Sequence, residues 1–374
     1  MSYYILPRTN NTISIVPKTS PIHPNPCISI TLYNYYNEAK QIIDEMCMND
    51  TILSSNTFSD IIRLTNPYEY IFSKVPGSKF SVSKLKPKSN ILYDMIEIMS
   101  TLNMTDVFKS GGMKFLHIGR NSEDSQDCIE IVRVGHKDDY SFTFNEINTE
   151  LHKTVNENKF DYMFCEIDND VCDNLNLYVL HLIKFFMLLL KNQAVDGNCI
   201  IKTDNNFHKP IIDIVYLLSS MYEKVYIIKP NTSNVMTFEK YIVCKRYMTD
   251  ERKQEHNRVN FGNLYQFLRS FTRNRNIMSL IDEDIPSFFM NKLDDSNIII
   301  GQQQLEALDQ VINILKNKNR HDKIEMIKKS NIQKSVAWCE KYKIPCNKFS
   351  DKTNIFLPLD DNVLQQPMFN VDLF

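Results

Sequence analysis

The stretch from Ala194 to Tyr247 constrains the fold more than any other part of this sequence. It alternates short apolar runs with one segment of helical periodicity, in the order strand, helix, strand, loop, strand. The predicted elements are strands at 198–203, 224–229 and 241–244 and a helix at 211–221. Pro230 ends the second strand. Strands that alternate with a helix in this way predict an α/β protein with an open sheet.

Two charged side chains stand at the ends of these predicted strands. Lys202 closes the first strand, and Glu239 lies just before the third. A lysine at the end of one strand and a glutamate at the start of another can meet at the edge of a sheet. Such a pair suits a site that orients a hydroxyl group and removes its proton.

The same stretch resembles the FtsJ-type 2'-O-ribose RNA methyltransferases. The pattern is a glycine and a strand ending in lysine, a helix, a strand ending in Lys-Pro, a serine, and a Glu-x-Tyr-x-Val run. It is carried here by Gly197, Ile200, Ile201, Lys202, Lys229, Pro230, Ser233, Glu239, Tyr241 and Val243. The resemblance covers about Pro67 to Tyr247 and extends to the FtsJ-like proteins of large DNA viruses. It implies a Rossmann-like methyltransferase sheet with helices on both faces, S-adenosylmethionine as cofactor, and a Lys-Asp-Lys-Glu catalytic tetrad.

Two positions of that tetrad differ from the family pattern. Residues 87–102 predict a helix that fits the family's first catalytic helix, but Asp94 stands where its lysine belongs. Glu166, at the end of a predicted strand at 159–167, stands in place of the aspartate. The resemblance thus assigns the catalytic positions to Asp94, Glu166, Lys202 and Glu239.

The turn that would hold the cofactor is also altered. Residues 113–118 predict the first strand of the sheet, and the family places a Gly-x-Pro-Gly turn after it. Gly119 is all that remains of this signature, because the sequence continues Arg-Asn-Ser-Glu-Asp-Ser. Gly119 and Asp168 are therefore the candidate cofactor-binding residues, and a polar surface loop is the alternative. Residues 128–134 predict the next strand.

Charge limits the ways in which this chain can contact RNA. A net charge of -2 gives no overall attraction to nucleic acid or to an anionic membrane, so RNA contact requires a local patch. Residues 251–276 interleave cations with aromatic side chains, which suits phosphate contact with base stacking. The same pattern fits a surface helix whose aromatic rings face the core. The candidate RNA-binding residues are Arg252, Arg258, Arg269, Arg273 and Arg275.

We predict four regions along the chain. They are an extended N-terminal arm and a helix (1–65), a methyltransferase-fold domain (66–248), a mostly helical C-terminal extension (249–350) and a tail (351–374). The apolar run 178–190 is short for a bilayer span and carries charged or titratable side chains, so it predicts a buried helix and no membrane partner. The nine cysteines lack metal-site spacing, which predicts reduced thiols, a cytoplasmic setting and no metal.

Three functional hypotheses follow. In the first, the fold no longer methylates and has no cofactor. It binds RNA, capped mRNA included, or a protein partner through the N-terminal arm or the C-terminal helices. In the second, the chain is a divergent S-adenosylmethionine-dependent cap or RNA 2'-O-methyltransferase, in which Lys86 or Lys88 replaces the missing lysine. In the third, it is an α/β subunit of unrelated ancestry. A viral member would reside in the cytoplasmic viral factory or in the virion.

Overall fold

The computed structural model describes residues 2–49, 61, 63–105, 111–144, 158–167, 174–204, 206–272, 274–317 and 321–347. The chain divides into two compact units. The larger unit comprises Met1–Asn66 and Pro87–Lys316, and the smaller unit comprises Pro67–Lys86 and Asn317–Phe374. The predicted tail at 351–374 lies outside the described residues, as do Asp168 and Arg273.

The larger unit is built around a seven-stranded sheet. Its strands are β1 (Ser2–Leu6), β3 (Lys114–Ile118), β4 (Asp139–Phe144), β5 (Phe160–Glu166), β6 (Gln193–Thr203), β7 (Tyr222–Lys229) and β8 (Lys240–Tyr247), and their spatial order is β1-β7-β8-β6-β5-β3-β4. The four strands from β4 to β6 run parallel. β8 lies antiparallel between β6 and β7, and β1 pairs antiparallel with β7. A separate two-stranded sheet joins β2 (Ile15–Ser20) to β9 (Asn276–Ile281).

Helices cover both faces of the large sheet, which confirms the predicted Rossmann-like methyltransferase fold. The helices of the larger unit are α1 (Ile30–Asn49), α2 (Ile91–Leu102), α3 (Ser122–Val132), α4 (Leu175–Asn192), α5 (Lys209–Met221), α6 (Glu251–Ser270) and α7 (Ser287–Lys316). Because strand side chains alternate between faces, the core divides in two. α4 and α5 share one hydrophobic cluster with Met163 and Cys165 of β5. α2 packs on the opposite face, where its Asp94 meets Tyr241 of β8. α4 is long and apolar enough to cross a bilayer, and most of it is buried in the core.

The register of the parallel strands places their carboxyl ends at one edge of the sheet. Ile118 of β3 lies beside Cys165 of β5, and Glu166 lies beside Lys202 of β6. In open α/β sheets ligands bind outside the carboxyl ends of the strands. The predicted site residues of three separate strands therefore meet at the edge where this fold class binds ligands.

One predicted element is wrong, because residues 128–134 do not form a strand. Residues 122–132 form α3, and the strand that follows is β4 at 139–144. The buried side chains are Asp124, Ser125, Cys128 and Ile129. This spacing of one, three and one residues is that of a helix face. Within 128–134 alone, β-branched side chains at alternate positions imitate a strand.

The N-terminal arm is extended and is built into the larger unit. β1 forms an edge of the large sheet, and β2 pairs with β9. Leu6, Ile13 and Ile15 are almost fully buried. These apolar side chains explain why the arm is an integral part of the larger unit.

The smaller unit combines a short 3-10 helix (Glu69–Ile71) with α8 (His321–Lys341). The two segments of this unit are joined by an isolated antiparallel bridge between Ser83 and Cys346. The Lys84 N–H donates to the Pro345 carbonyl at 2.8 Å beside that bridge. The buried apolar side chains of the smaller unit are Tyr70, Ile71, Val75, Val82, Ile332, Trp338, Cys339 and Ile344.

Candidate functional site

Three of the four predicted catalytic positions meet at the carboxyl edge of the sheet. Glu166 ends β5 and Lys202 lies one residue before the end of β6. Glu239 immediately precedes β8, where Tyr241 is the register partner of Lys202. The Lys202 Nζ lies 3.4 Å from Glu239 Oε1 and 3.7 Å from Glu166 Oε1. The lysine thus stands between two carboxylates from neighbouring strands.

These carboxylates determine the protonation of Lys202. Burial alone would lower the pKa of Lys202, but the negative charges of Glu239 and Glu166 raise it above the ordinary lysine value. The side chain is therefore an ammonium at neutral pH. Because an ammonium has no lone pair, it can donate hydrogen bonds but cannot accept a proton from a hydroxyl group.

Asp94, the fourth position, is fully buried and bonded away from Lys202. Thr232 Oγ1 donates to its Oδ1, and the Tyr241 hydroxyl donates to its Oδ2 at 2.8 Å. Burial, followed by the charge of Glu239, raises the pKa of Asp94 to about 7, while the two hydroxyl donors and Lys202 partly offset this rise. The two hydroxyl partners were not predicted, because they come from a loop and a strand about 140 residues away.

A second acid of α2 and a buried lysine hold the loop that carries Glu239. Glu97 Oε2 accepts the Asn231 N–H at 3.1 Å. From the other side, Lys229 Nζ donates to three carbonyl groups of the loop. The acceptors are Asn234 at 2.5 Å, Thr237 at 3.0 Å and Glu239 at 2.6 Å. Burial lowers the pKa of Lys229 to about 8. The Lys-Pro pair of the sequence pattern therefore begins with a residue that fixes this loop, a role that the pattern did not suggest.

The turn after β3 is filled by Glu166. Gly119 has a φ of +151°, and a Cβ at this position would lie 2.7 Å from Glu166 Cβ and 2.9 Å from His117 Nε2. The Glu166 carboxylate then bonds to the start of α3. Its Oε1 accepts from Asn121 Nδ2 at 2.7 Å, and its Oε2 accepts the Asn121 N–H at 3.3 Å. The glycine is required because the glutamate side chain lies directly over it.

His117 lies under the same turn and was not predicted. Its Nδ1 lies 2.5 Å from Ser125 Oγ, and its Nε2 lies 3.8 Å from Glu166 Oε2. Burial lowers the pKa of His117 to about 3, so the ring is neutral at neutral pH. It therefore brings no positive charge to Glu166, whereas Lys202 faces this carboxylate as an ammonium.

A cleft of about 470 Å³ opens at this edge. This volume is within the usual range of small-molecule sites. Its lining residues are Ser89, Asn90, Ile91, Arg120, Asn121, Glu166, Ile167, Lys202, Asn234 and Glu239. At the glycine turn the Asn121 N–H already donates to Glu166, so this backbone donor is not open to a cofactor carboxylate in this structure. Among the described residues, no three His, Cys, Asp or Glu side chains are grouped to hold a metal ion.

Lys88, one of the two lysines considered as a replacement for the missing catalytic lysine, is directed toward α3. Its Nζ lies 2.5 Å from Glu123 Oε2. The Lys88 and Ser89 N–H groups both donate to the Asp124 carboxylate, at 2.9 Å and 2.6 Å. These contacts tie the segment before α2 to the start of α3. Lys86, the other lysine considered, belongs to the smaller unit.

The predicted RNA-binding arginines within the described residues are exposed. Arg252, Arg258 and Arg269 lie on α6, and Arg275 lies between α6 and β9. Arg258 pairs with Glu255, and Arg275 Nη2 donates to the Thr19 carbonyl at 3.0 Å. The aromatic side chains interleaved with these arginines are partly buried and pack against the hydrophobic core. They are Phe261, Tyr265, Phe267 and Phe271.

Comparison with known proteins finds three similarities. Residues 106–247 match the model of the FtsJ-like methyltransferase family. An uncharacterized protein of Acanthamoeba polyphaga mimivirus is 24% identical over 220 residues, which cover 58% of this chain and 56% of that protein. A crystal structure of a Plasmodium falciparum protein, assigned provisionally as a ribosomal RNA methyltransferase, aligns with 44% of this chain and 100% of its own at 16% identity and a TM-score of 0.34. Residues 106–247 are therefore similar to the FtsJ-like methyltransferases.

Proposed function

We propose that this chain is a non-catalytic RNA-binding protein built on an FtsJ-like methyltransferase fold. The observation that carries the proposal is the position of Glu166. Its side chain lies over Gly119 and accepts the Asn121 N–H, so the chain's own carboxylate occupies the turn that a cofactor carboxylate would use. Because the family's transfer reaction requires S-adenosylmethionine, a chain that fills this turn has no methyl donor.

The charges around Lys202 support the same conclusion. Deprotonating a ribose hydroxyl requires a lysine whose pKa is lowered, and a neighbouring cation is one way to lower it. The family pattern supplies a second lysine, whereas this chain supplies Asp94. Glu166 and Glu239 then keep Lys202 protonated. The lysine thus acts as the centre of an ion-pair network.

The surroundings of Asp94 are arranged for a carboxyl group. Thr232 and Tyr241 both direct hydroxyl groups at it, and Asp94 is fully buried. A lysine ammonium at this position could not accept hydrogen bonds from the two hydroxyl groups, because an ammonium is only a donor. The hydroxyl groups of Thr232 and Tyr241 therefore suit a carboxyl group at this position.

RNA is proposed as the ligand because the FtsJ-type pattern belongs to RNA-modifying proteins. The likeness to a mimivirus protein is the ground for placing the chain in a viral setting, either the cytoplasmic factory or the virion. A protein partner is the alternative ligand for the same scaffold. If the chain binds no RNA oligonucleotide, the protein partner is the favoured ligand.

A second candidate is a divergent, active 2'-O-methyltransferase acting on capped mRNA. It is favoured by the cleft at the carboxyl edge, which is lined by both Lys202 and Glu239. In that case Glu166 would move off the turn when the cofactor binds.

Calorimetric titration with S-adenosylmethionine separates the two candidates. The wild-type chain should give no binding heat up to about 1 mM, and micromolar binding would establish the enzyme instead. The matched variant is Glu166→Asp, which restores the shorter side chain of the family pattern and withdraws the carboxylate from Asn121. A gain of binding in this variant would identify Glu166 as the group that blocks the turn. Fluorescence anisotropy with capped and uncapped oligonucleotides tests RNA binding on the same samples.

A further inference from the structure

The smaller unit is strongly basic, although the chain as a whole is slightly acidic. Its described segments, 67–86 and 321–347, contain ten lysines and four acidic residues. They therefore carry a net charge of about +6, while the net charge of the whole chain is -2. Such segregation of charge produces the local positive patch that contact with a polyanion requires.

Most of these lysines are exposed. The exposed ones are Lys74, Lys79, Lys84, Lys86, Lys323, Lys329, Lys334, Lys341 and Lys343. Two of the four acidic residues are engaged locally, because Glu325 pairs with Lys328 at 2.7 Å and Glu69 accepts from the Ser73 hydroxyl. The positive potential of the surface is thus weakly offset by its own carboxylates.

The backbone brings the lysines of the two segments together. The bridge between Ser83 and Cys346 and the bond from the Lys84 N–H to the Pro345 carbonyl join them side by side. This pairing places Lys84 beside the short segment that begins at Lys343. Exposed lysines from two separate parts of the sequence therefore belong to one compact unit, and we call them together the lysine surface.

Lys343 has a left-handed backbone conformation, which lysine rarely adopts. Its φ is +57°, and the Ile344 N–H that follows donates to the Cys339 carbonyl at 2.8 Å, closing the end of α8. Glycine is the residue that adopts this helix-ending conformation without strain. The chain thus places a long, exposed cationic side chain at the end of α8, close to the bridge that joins the two segments.

Exposed aromatic rings accompany these cations. Phe80 is 57% exposed and follows Lys79 directly, and Phe72 is 38% exposed within the same segment. Aromatic side chains beside a positively charged surface serve as platforms on which unpaired bases stack. Because the bases of a duplex are already stacked on one another, this combination fits a single strand better than a duplex.

We infer that the lysine surface binds single-stranded RNA, with the lysines contacting phosphates and Phe80 stacking on a base. The inference rests on the proposed function for the class of ligand. It assigns the contact to the smaller unit rather than to the arginines around α6. The net attraction is electrostatic, so the affinity depends strongly on salt and weakly on sequence.

The test uses the full chain and a fluorescent 20-nucleotide oligouridylate in anisotropy titrations from 0.05 to 0.3 M salt. The variant Lys84→Gln/Lys343→Gln removes two phosphate contacts. Since each contact contributes about 0.7 to the salt slope on a single strand, the variant should lose about 1.4 in slope and bind about 25-fold more weakly at 0.1 M salt. The control Lys224→Gln/Lys292→Gln makes the same charge change at exposed lysines of the larger unit and should bind within twofold of wild type.

Phe80→Ala gives an independent measurement, because it removes a base platform and leaves the charge unchanged. It should weaken binding at least fivefold without altering the salt slope. Equal losses in the two lysine pairs would overturn the inference, since they would mean that net charge alone decides binding. Binding to vesicles of anionic lipid but not to the oligonucleotide would also overturn it. Binding of S-adenosylmethionine by wild type, with these variant effects intact, would overturn the proposed function alone.

Discussion

Replacing Asp94 by asparagine removes a buried ionisable group and keeps its shape. Thr232 and Tyr241 contact the side chain through hydroxyl groups, which can either donate or accept. The amide therefore keeps both hydrogen bonds. The variant differs from wild type mainly in having no proton to lose, which makes the pH dependence of its stability informative.

The size of the effect follows from the raised pKa of Asp94. Burial and the charge of Glu239 raise this pKa from 3.8 to about 7. Below about pH 4 the carboxyl group is protonated in both the folded and the unfolded state. Between pH 4 and 7 the unfolded chain releases the proton and the folded chain keeps it, so the stability of wild type falls by about 1.4 kcal/mol per pH unit. The accumulated loss at pH 7 is about 4 kcal/mol.

The assay is urea unfolding, followed by far-ultraviolet circular dichroism, of wild type and Asp94→Asn at several values of pH from 4.5 to 7.5. The difference in unfolding free energy isolates the Asp94 contribution, because the other titrating groups are common to both proteins. We expect the variant to gain stability over wild type steadily up to about pH 7 and no further. A difference that stays constant over this range would refute the reasoning. A variant that becomes less stable than wild type as pH rises would show that the fold requires the carboxylate.

The remaining predictions concern the turn, the lysine between carboxylates and the loop. Gly119→Ala should destabilise the protein by about 2–4 kcal/mol in thermal unfolding, because backbone strain adds to the clash with Glu166. The control Gly135→Ala has a φ of +85° in open space and should show strain alone, about 1 kcal/mol. Lys202→Met should leave RNA affinity within twofold of wild type in anisotropy titrations, and a loss above tenfold would contradict a purely structural lysine. Lys229→Met should make the loop that follows it sensitive to limited proteolysis, since three of its carbonyl groups lose a donor.

The sequence predicted the sheet and its edge well, because those features depend on local periodicity and on strand order. The apolar runs that end at Glu166 and Lys202 were predicted as strands, and the parallel register of β5 and β6 brings the two side chains together. The error at residues 128–134 has a local cause. The helical period of α3 becomes visible only when Asp124 and Ser125 are included as buried positions.

The detailed chemistry of the site could not be predicted, because it depends on contacts between distant segments. No residue near Asp94 in the sequence indicates that Thr232 and Tyr241 donate hydrogen bonds to its side chain. In the same way, the closing of the Gly119 turn depends on Glu166, which lies 47 residues later in the chain. Side chains at such separations are brought together by the fold, and the pattern of a single sequence does not show which of them will be in contact.

The most direct test of the account is the protonation state of Lys202. Lysine labelled with carbon-13 at Cε reports its charge by nuclear magnetic resonance, and Lys202→Met identifies the signal. Because Glu166 and Glu239 raise the pKa of this lysine above the ordinary value of 10.5, its signal should not titrate below about pH 10. A midpoint near pH 7 to 8, where catalytic lysines are tuned, would mean that a general base survives in this site and would contradict the account.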